Sequence, residues 1–299
     1  METFPELTVG LPVYNEEKTI VPFISRLMKS VEKNCYKLKE IIVVASGCTD
    51  NTLNLLIKAQ TEFDIIRVFV EKERRGFTSA YNIIVRNAKG SHILIPSCDS
   101  IIGSKSIDLL FDALNSYGRN FAVTGVATPL AENTLIYKVY SPMLIFQYFY
   151  QPPKIDFEGM SLFYREDLSE LPMNTNPTER FVNDMLVKKG ISIKRVEEAK
   201  STTKLPGSLK DFLKQRKRNI VHYLTAERKG IKSEEVSAST AIIFLLETKG
   251  VKDFMYRIIG ILISVHVLIL ARIDILLKNN HILTDYIESS KDIYERVQF

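Results

Sequence analysis

Cysteine is scarce, and its placement excludes more than it offers. The 299-residue chain holds Cys35, Cys48 and Cys98, an odd and widely spaced set with no C-x-x-C pair. That argues against a disulfide framework or a zinc site and reads as reduced intracellular thiols. The N-terminus METFPELTVG lacks a basic stretch followed by an apolar core, so no signal peptide is expected. Neither apolar run near the C-terminus is long enough alone to span a bilayer: VSASTAIIFLL (236–246) and IIGILISVHVLILA (258–271). Internal repeats and low-complexity segments are missing too. Excess charge is small, with 40 Lys and Arg against 35 Asp and Glu for a formal +5. This mild basicity suits a phosphate-bearing substrate or an anionic membrane face and argues against nucleic acid as a partner.

What is present in the first 127 residues is a regular alternation. The runs LTVGL (7–11), EIIVVA (40–45), DIIRVFV (64–70), HILI (92–95) and FAVTGVA (121–127) are short and rich in β-branched residues. Such runs suit strands buried on both faces. Between them lie helix-length segments with apolar residues at 3–4 spacing: KTIVPFISRLMKSVEK, DNTLNLLIKAQTEF and TSAYNIIVRNAKG. Thr49 or Asp50 is placed to cap the second, and Gly90 to close the third at a C′ position. The class expected is α/β, a mostly parallel sheet with helices on both faces and any site at the strands' C-terminal ends.

From residue 134 the character changes. TLIYKVYSPMLIFQYFYQPP concentrates Tyr137, Tyr140, Phe146, Tyr148, Phe149 and Tyr150, either as a buried helix or as an interfacial, substrate-facing surface. The two apolar runs at the end flank ETKGVKD, which reads as the turn of a hydrophobic helical hairpin. Residues 254–277 reach spanning length only by including Arg257, Arg272 and Asp274, with arginines near the ends able to snorkel. Two regions are expected: 1–228, and a helical, membrane-associated 229–299.

Chemistry collects in the segments that follow the strands. LPVYNEEKTI brings Pro12, Tyr14, Asn15 and Glu16 after the first, with acids at a helix start where the dipole favours them. VVASGCTDNT repeats that layout after the second. EKERRGFTSAYN sets Arg74 and Arg75 ahead of Gly76 and a helix N-terminus, suited to a diphosphate. HILIPSCDSIIG ends a strand on Ser97, Cys98 and Asp99.

In order and spacing these stretches resemble the GT-A-fold family 2 glycosyltransferases. Pro12, Tyr14, Asn15 and Glu16 match a P-x-Y-N-E loop; Ser46 to Thr52 match a D-G-S-T-D-x-T turn; Gly76 to Asn82 match a G-K-x-x-A-L-N helix start; Ser97 to Asp99 match D-x-D. EGMSLFYRE, with Gly159 and Arg165, resembles the acceptor-side segment, and TERFVNDMLVKKG an E-D stretch whose pair falls on Thr178 and Glu179. LKQRKRN resembles the Q-x-x-R-W signature of members that work at membranes, with Gln215 and Arg218 kept and Asn219 in place of Trp. The resemblance covers about residues 7 to 222.

The resemblance implies sugar transfer from a nucleotide-diphospho-sugar to an acceptor hydroxyl by inverting displacement. The acceptor is read as lipid-linked, polysaccharide or otherwise amphiphilic, and the location as the cytoplasmic face of the cell membrane. It implies Glu179 as general base, with Asp184 as second candidate. The donor would meet Pro12, Tyr14, Asn15, Glu16, Ser46, Arg74, Arg75, Ser97, Asp99, Gln215 and Arg218. Three positions depart from the pattern. Ala45 and Ser46 replace the acidic pair that meets the nucleotide base, Ser97 replaces the first acid of D-x-D, and the metal-site histidine falls near Thr203. Asp99 is left as the carboxylate for Mg²⁺ or Mn²⁺. Arg74, Arg75, Arg216 and Arg218 are the alternative for meeting leaving-group charge. A relative that binds the nucleotide sugar or a partner without catalysis is the competing reading.

Overall fold

The computed structural model describes residues 4–31, 36–150, 152–173, 178–228, 230 and 238–277, with the side chains of 147–150 and 238–241 left out. Cys35 and three aromatic side chains named above, Tyr148, Phe149 and Tyr150, therefore fall outside the description, as do Val236 and Ser237 of the first apolar run. The chain divides into two compact units. One comprises 4–127 and 153–203, and the other 128–152 and 204–277, within the described residues. The aromatic helix and the Gln215–Arg218 helix group with the C-terminal helices.

In the first unit, β1 (Glu6–Val13), α1 (Ile20–Ser30), β2 (Lys37–Ser46), α2 (Thr52–Glu62), β3 (Ile66–Glu71), α3 (Phe77–Asn87) and β4 (His92–Ile95) follow in the expected alternation. Then come β5 (Ser100–Ile102), α4 (Ser106–Tyr117), β6 (Phe121–Pro129), β7 (Ser161–Tyr164), α6 (Thr178–Lys188) and β8 (Ser192–Thr203), with α5 (Leu135–Tyr150) between β6 and β7. The described strands form one eight-stranded sheet in the order β3-β2-β1-β4-β7-β6-β8-β5. β3, β2, β1 and β4 are parallel; β7 runs antiparallel to β4 and β6, and β5 antiparallel to β8. After β3 the chain returns to the other side of β1. That reversal is where an open α/β sheet holds a ligand, beyond the strands' C-terminal ends.

Both faces of the parallel half are covered, which is why β1 and β2 are near-continuous apolar runs. Ile42 and Val44 of β2 and Ile93 and Ile95 of β4 pack with Ala80, Tyr81 and Ile84 of α3 in one buried cluster. α3 approaches so closely that a Cβ on Gly10 would lie 2.4 Å from Ile84 Cγ2. Gly90 is needed for a related reason. It is not a helix C′ residue, since α3 ends at Asn87 and Ala88 is extended; a Cβ there would strike β1, 2.7 Å from Thr8 N.

The N-terminal edge of the parallel strands is closed by a buried carboxylate. Glu40 accepts from Thr8 Oγ1 at 2.9 Å and Lys89 N at 2.6 Å, and pairs with Arg67. One side chain thus joins β1, β2, β3 and the α3–β4 connection. Its charge tolerates burial because both oxygens are paired.

His92, at the start of β4, is also buried, between the rings of Phe111 and Tyr164. Ser91 Oγ donates to Glu6 O and accepts from Glu6 N. The same hydroxyl oxygen lies 2.9 Å from His92 Nδ1. Burial, with the Arg119 guanidinium nearby, holds the imidazole down at about 4. The folded protein consequently binds fewer protons than the unfolded chain between about pH 4 and 6.5. Stability should be full above pH 6.5, fall as pH drops through that window and level off below it. Urea midpoints measured from pH 7.5 to 4 should show that slope for wild type and a shallower one for His92→Phe; equal slopes would assign the acid sensitivity to other groups.

The second unit holds α5, α7 (Leu209–Arg228), α8 (Ala238–Leu246) and α9 (Val251–Leu276). α8 and α9 form the expected hairpin. Arg257 does not snorkel outward: it is 9% exposed and turns into the hairpin, donating to Phe244 O at 2.6 Å and Glu247 O at 3.2 Å. It thereby satisfies carbonyls left open at the end of α8. α9 is long and apolar enough to cross a membrane. Its buried positions are Arg257, Gly260, Val267 and Ala271, while Leu262, Val265, Ile269 and Ile273 are exposed. Small and polar residues inward with large apolar ones outward invert the pattern of a water-soluble helix.

Candidate active site

Two loops at the C-terminal edge are laced together. Asn15, held at φ 53°, donates from Nδ2 to Thr49 Oγ1 at 3.0 Å and accepts from Thr49 N at 2.8 Å. Glu16 N donates to Thr52 Oγ1 at 2.7 Å, Glu17 N to Asp50 Oδ2 at 3.3 Å, and Asn51 N to Glu17 Oε2 at 3.0 Å. Asparagine tolerates the left-handed conformation and supplies both donor and acceptor, which suits it to this corner. The N-cap of α2 is Asn51, and Asp50 just before it accepts through Oδ1 from Thr52 N at 3.0 Å. The Glu16 carboxylate, 6% exposed, accepts from Thr19 Oγ1. Asn15 and Glu16 are thus built into the floor, while Tyr14 remains partly accessible.

The third loop folds onto the second. Gly47 N donates to Glu71 O at 2.9 Å, and Ser46 Oγ accepts from Arg75 N at 3.0 Å. Gly47 sits at φ +65°, and a Cβ there would come within 2.3 Å of Arg74 N. Both its conformation and its surroundings require glycine. Ser46 thereby helps to hold the arginine loop in place. The Arg74 guanidinium lies 3.9 Å from the centre of the Tyr14 ring, joining the first loop to the third by a cation–π contact. Arg74 and Arg75 are both exposed just ahead of α3.

The fourth element is the Ser97–Ser100 turn after β4. Ser97 Oγ donates to Asp99 Oδ1, while Ser97 O accepts from Ser100 Oγ at 2.8 Å. The position where an acid of D-x-D was expected thus fixes the orientation of the retained acid. Thr203, at the position expected for a metal-site histidine, is paired with Ser100 across β5 and β8, one residue from Asp99. Among the described residues no three His, Cys, Asp or Glu are grouped to hold a metal. Asp99 with a threonine nearby fits a Mg²⁺ or Mn²⁺ ion whose other ligands are diphosphate oxygens and water.

Glu179 stands on the first turn of α6, half-buried. The preceding Thr178 is buried and its hydroxyl meets Thr78 Oγ1 at 3.0 Å, so the start of α6 is fastened to the start of α3, two residues beyond Gly76. Asp184 is placed differently. At five residues on it points about 140° around the helix from Glu179, and it is ion-paired with Lys188 at 2.7 Å. Arg165, expected on the acceptor side, is at the opposite end of the sheet. It follows β7, where Tyr164 pairs with His92, and its N–H bonds Ser91 O at 2.9 Å; with Ser91, His92, Arg119, Tyr164 and Glu166 it lines a cavity of about 260 Å³ there. Gln215 and Arg218 lie on α7 in the second unit, three residues apart on one helical face. Beside them, Arg216 is committed to Tyr140, donating to its hydroxyl at 2.6 Å and lying 4.8 Å from its ring centre.

A parallel sheet with its order reversed at β1 and β4, ending in these four loops, defines the GT-A fold of nucleotide-diphospho-sugar transferases. Residues 8–171, more than half the chain, match the model of Glycosyl transferase family 2, and the protein belongs to that family. Among solved structures, the mannosyltransferase PcManGT from Pyrobaculum calidifontis in complex with GDP-Man and Mn²⁺ superposes with a TM-score of 0.67. The identity is 18%, over 93% of this chain and 89% of that one. Among characterised relatives, glycosyltransferase GlyG of Streptococcus pneumoniae is 29% identical over 35% of this chain and 34% of its own. Poly-beta-1,6-N-acetyl-D-glucosamine synthase of Staphylococcus aureus is 29% identical over 40% of this chain and 28% of its own. The match thus spans about a third of those relatives' lengths.

Gly47→Ala should strain the backbone and push the arginine loop off the second loop. Nucleoside diphosphate affinity by calorimetry should fall at least tenfold, with about 1–3 kcal/mol lost from urea stability. Unchanged affinity would mean that the loop contact does not shape the site.

Proposed function

We propose that the protein transfers a sugar from a nucleotide-diphospho-sugar to an acceptor hydroxyl by a single inverting displacement. The observation that carries this reading is the convergence of Tyr14, Arg74, Arg75 and Asp99 at the reversal of strand order, with Glu179 tied to the same edge through Thr178 and Thr78. The donor's diphosphate lies toward Asp99 and Arg75. Glu179 accepts the acceptor's hydroxyl proton as that oxygen bonds to the anomeric carbon, and the bond from that carbon to the diphosphate breaks on the opposite face. A divalent ion at Asp99, when bound, neutralises charge on the leaving diphosphate. Arg74 and Arg75 meet the same charge from preset positions. The solved relative's complex with GDP-Man and Mn²⁺ supports this class of donor and ion, and the polysaccharide synthase among the relatives supports a glycan acceptor. Asp184 serves the helix surface through Lys188, which leaves Glu179 as the base. Gln215 and Arg218 keep a donor role by resemblance.

Membrane association belongs to the same reading. The outward apolar side of α9 supports insertion into lipid, as does α8, where Leu246 is 76% exposed. α7 packs along α9 and bears Lys217, paired with Asp274 at 2.9 Å. A charged helix beside α9 favours a position in the plane of the membrane surface over a crossing. The acceptor is then lipid-linked or otherwise amphiphilic, reached from the cytoplasmic face.

The test is donor turnover across UDP-, GDP- and dTDP-sugars, with and without Mn²⁺. Glu179→Gln should lower kcat by about 10²–10⁴-fold with donor KM little changed, and Asp99→Asn should remove any Mn²⁺ stimulation. No turnover of any donor, with Glu179→Gln indistinguishable from wild type, would favour the binding-only relative instead.

A further inference from the structure

Loss of the acidic pair at Ala45 and Ser46 leaves the nucleotide base without the carboxylate that the family resemblance implies. The sheet offers one in a neighbouring strand. Ser46 and Glu71 are register partners across the parallel β2–β3 pair, so their side chains rise from the same face of the C-terminal edge. Ser79, on the first turn of α3, donates to Glu71 Oε1 and fixes the carboxylate. The other oxygen, Oε2, is shielded from solvent and has no hydrogen-bond partner among the described residues. A shielded carboxylate oxygen without a donor is costly and calls for a partner.

The dimensions fit a nucleotide laid across the strand ends. From Asp99 after β4 to Glu71 at the end of β3 there are three strand spacings, about 14 Å in all. That is close to the span of a nucleoside diphosphate from its phosphates to the far edge of its base. A diphosphate at Asp99 and Arg75 would therefore bring the base over β2 and β3, where Tyr14 and Arg74 stack.

Resting on the donor reading above, we propose that Glu71 is the base-recognition residue and that its Oε2 accepts the imino N–H of guanine or uracil. An ionised carboxylate only accepts, so it favours bases with an N–H at that edge and repels a ring nitrogen lone pair, as in cytosine or adenine. A site built around such a bond discriminates strongly, since a ligand without the N–H leaves a shielded charge unpaired. Glu71 thereby takes over, from β3, the task of an acid lost from β2. The adjacent Ser46 is free of that task and holds the arginine loop.

The experiment is calorimetric titration of the full-length protein with UDP, GDP, CDP and ADP in the presence of Mn²⁺, with inorganic pyrophosphate as the base-free probe. Wild type should bind UDP or GDP at least tenfold more tightly than CDP and ADP. Glu71→Gln keeps an oxygen for Ser79 but turns an N–H toward the base. It should erase that preference and leave pyrophosphate affinity within about twofold, and Glu71→Ala should do the same with weaker binding overall. A variant that keeps the wild-type preference overturns the proposal, and so does one that weakens every nucleotide and pyrophosphate equally, which would make Glu71 a prop for the loop. Wild type that binds no nucleoside diphosphate overturns the donor site itself, an outcome distinct from a bound nucleotide indifferent to Glu71.

Discussion

The site depends on a set of hydrogen bonds that pass back and forth between the loops after β1 and β2. Asn15 with Thr49, Glu16 with Thr52, and Glu17 with Asp50 and Asn51 turn two connections that could move independently into one surface. Backbone N–H groups are satisfied by side chains of the opposite loop, so neither loop can shift without leaving a donor unpaired. On that surface the third loop is set by the Gly47–Glu71 and Ser46–Arg75 contacts. Preorganisation of this kind is what the proposed donor site asks of Arg74 and Arg75, which would meet a diphosphate without being reorganised first.

The opposite edge of the sheet serves stability. Glu40, Thr8, Arg67 and Lys89 join the strand starts, and His92 is held neutral among aromatic rings. The Glu40 carboxylate there is paired on both oxygens, whereas His92 Nε2 at that edge, like Glu71 Oε2 at the other, is shielded with no hydrogen-bond partner among the described residues. The sheet thus places the Glu40 network at one end and the residues of the proposed donor site at the other, where an open α/β fold holds a ligand.

Much of this was legible in the sequence because strand period, loop chemistry and motif order agreed. The five apolar runs became β1, β2, β3, β4 and β6, and the loops after β1, β2, β3 and β4 proved to share one edge. β5, β7 and β8 were not legible: β5 and β7 are three and four residues long, and β8, SIKRVEEAKSTT, is polar and lies between β6 and the edge strand β5. Gly90 was misread because its constraint comes from β1, more than 80 residues away in sequence. Arg165 was assigned to the acceptor side from its neighbours in the chain, whereas the antiparallel direction of β7 carries it to the far edge. Glu71 drew no notice within EKERRG, where charge reads as solvated surface. Only strand register shows that it stands beside Ser46.

The central claim is that a nucleoside diphosphate occupies the C-terminal edge of β1 to β4. Hydrogen–deuterium exchange of the protein with and without a saturating nucleoside diphosphate and Mn²⁺ tests it most directly. The account predicts added protection in residues 14–17, 47–52, 72–78 and 97–100, and none in 90–92 or 164–167 at the opposite edge. Protection confined to that opposite edge, or no protection by any nucleotide, would contradict it.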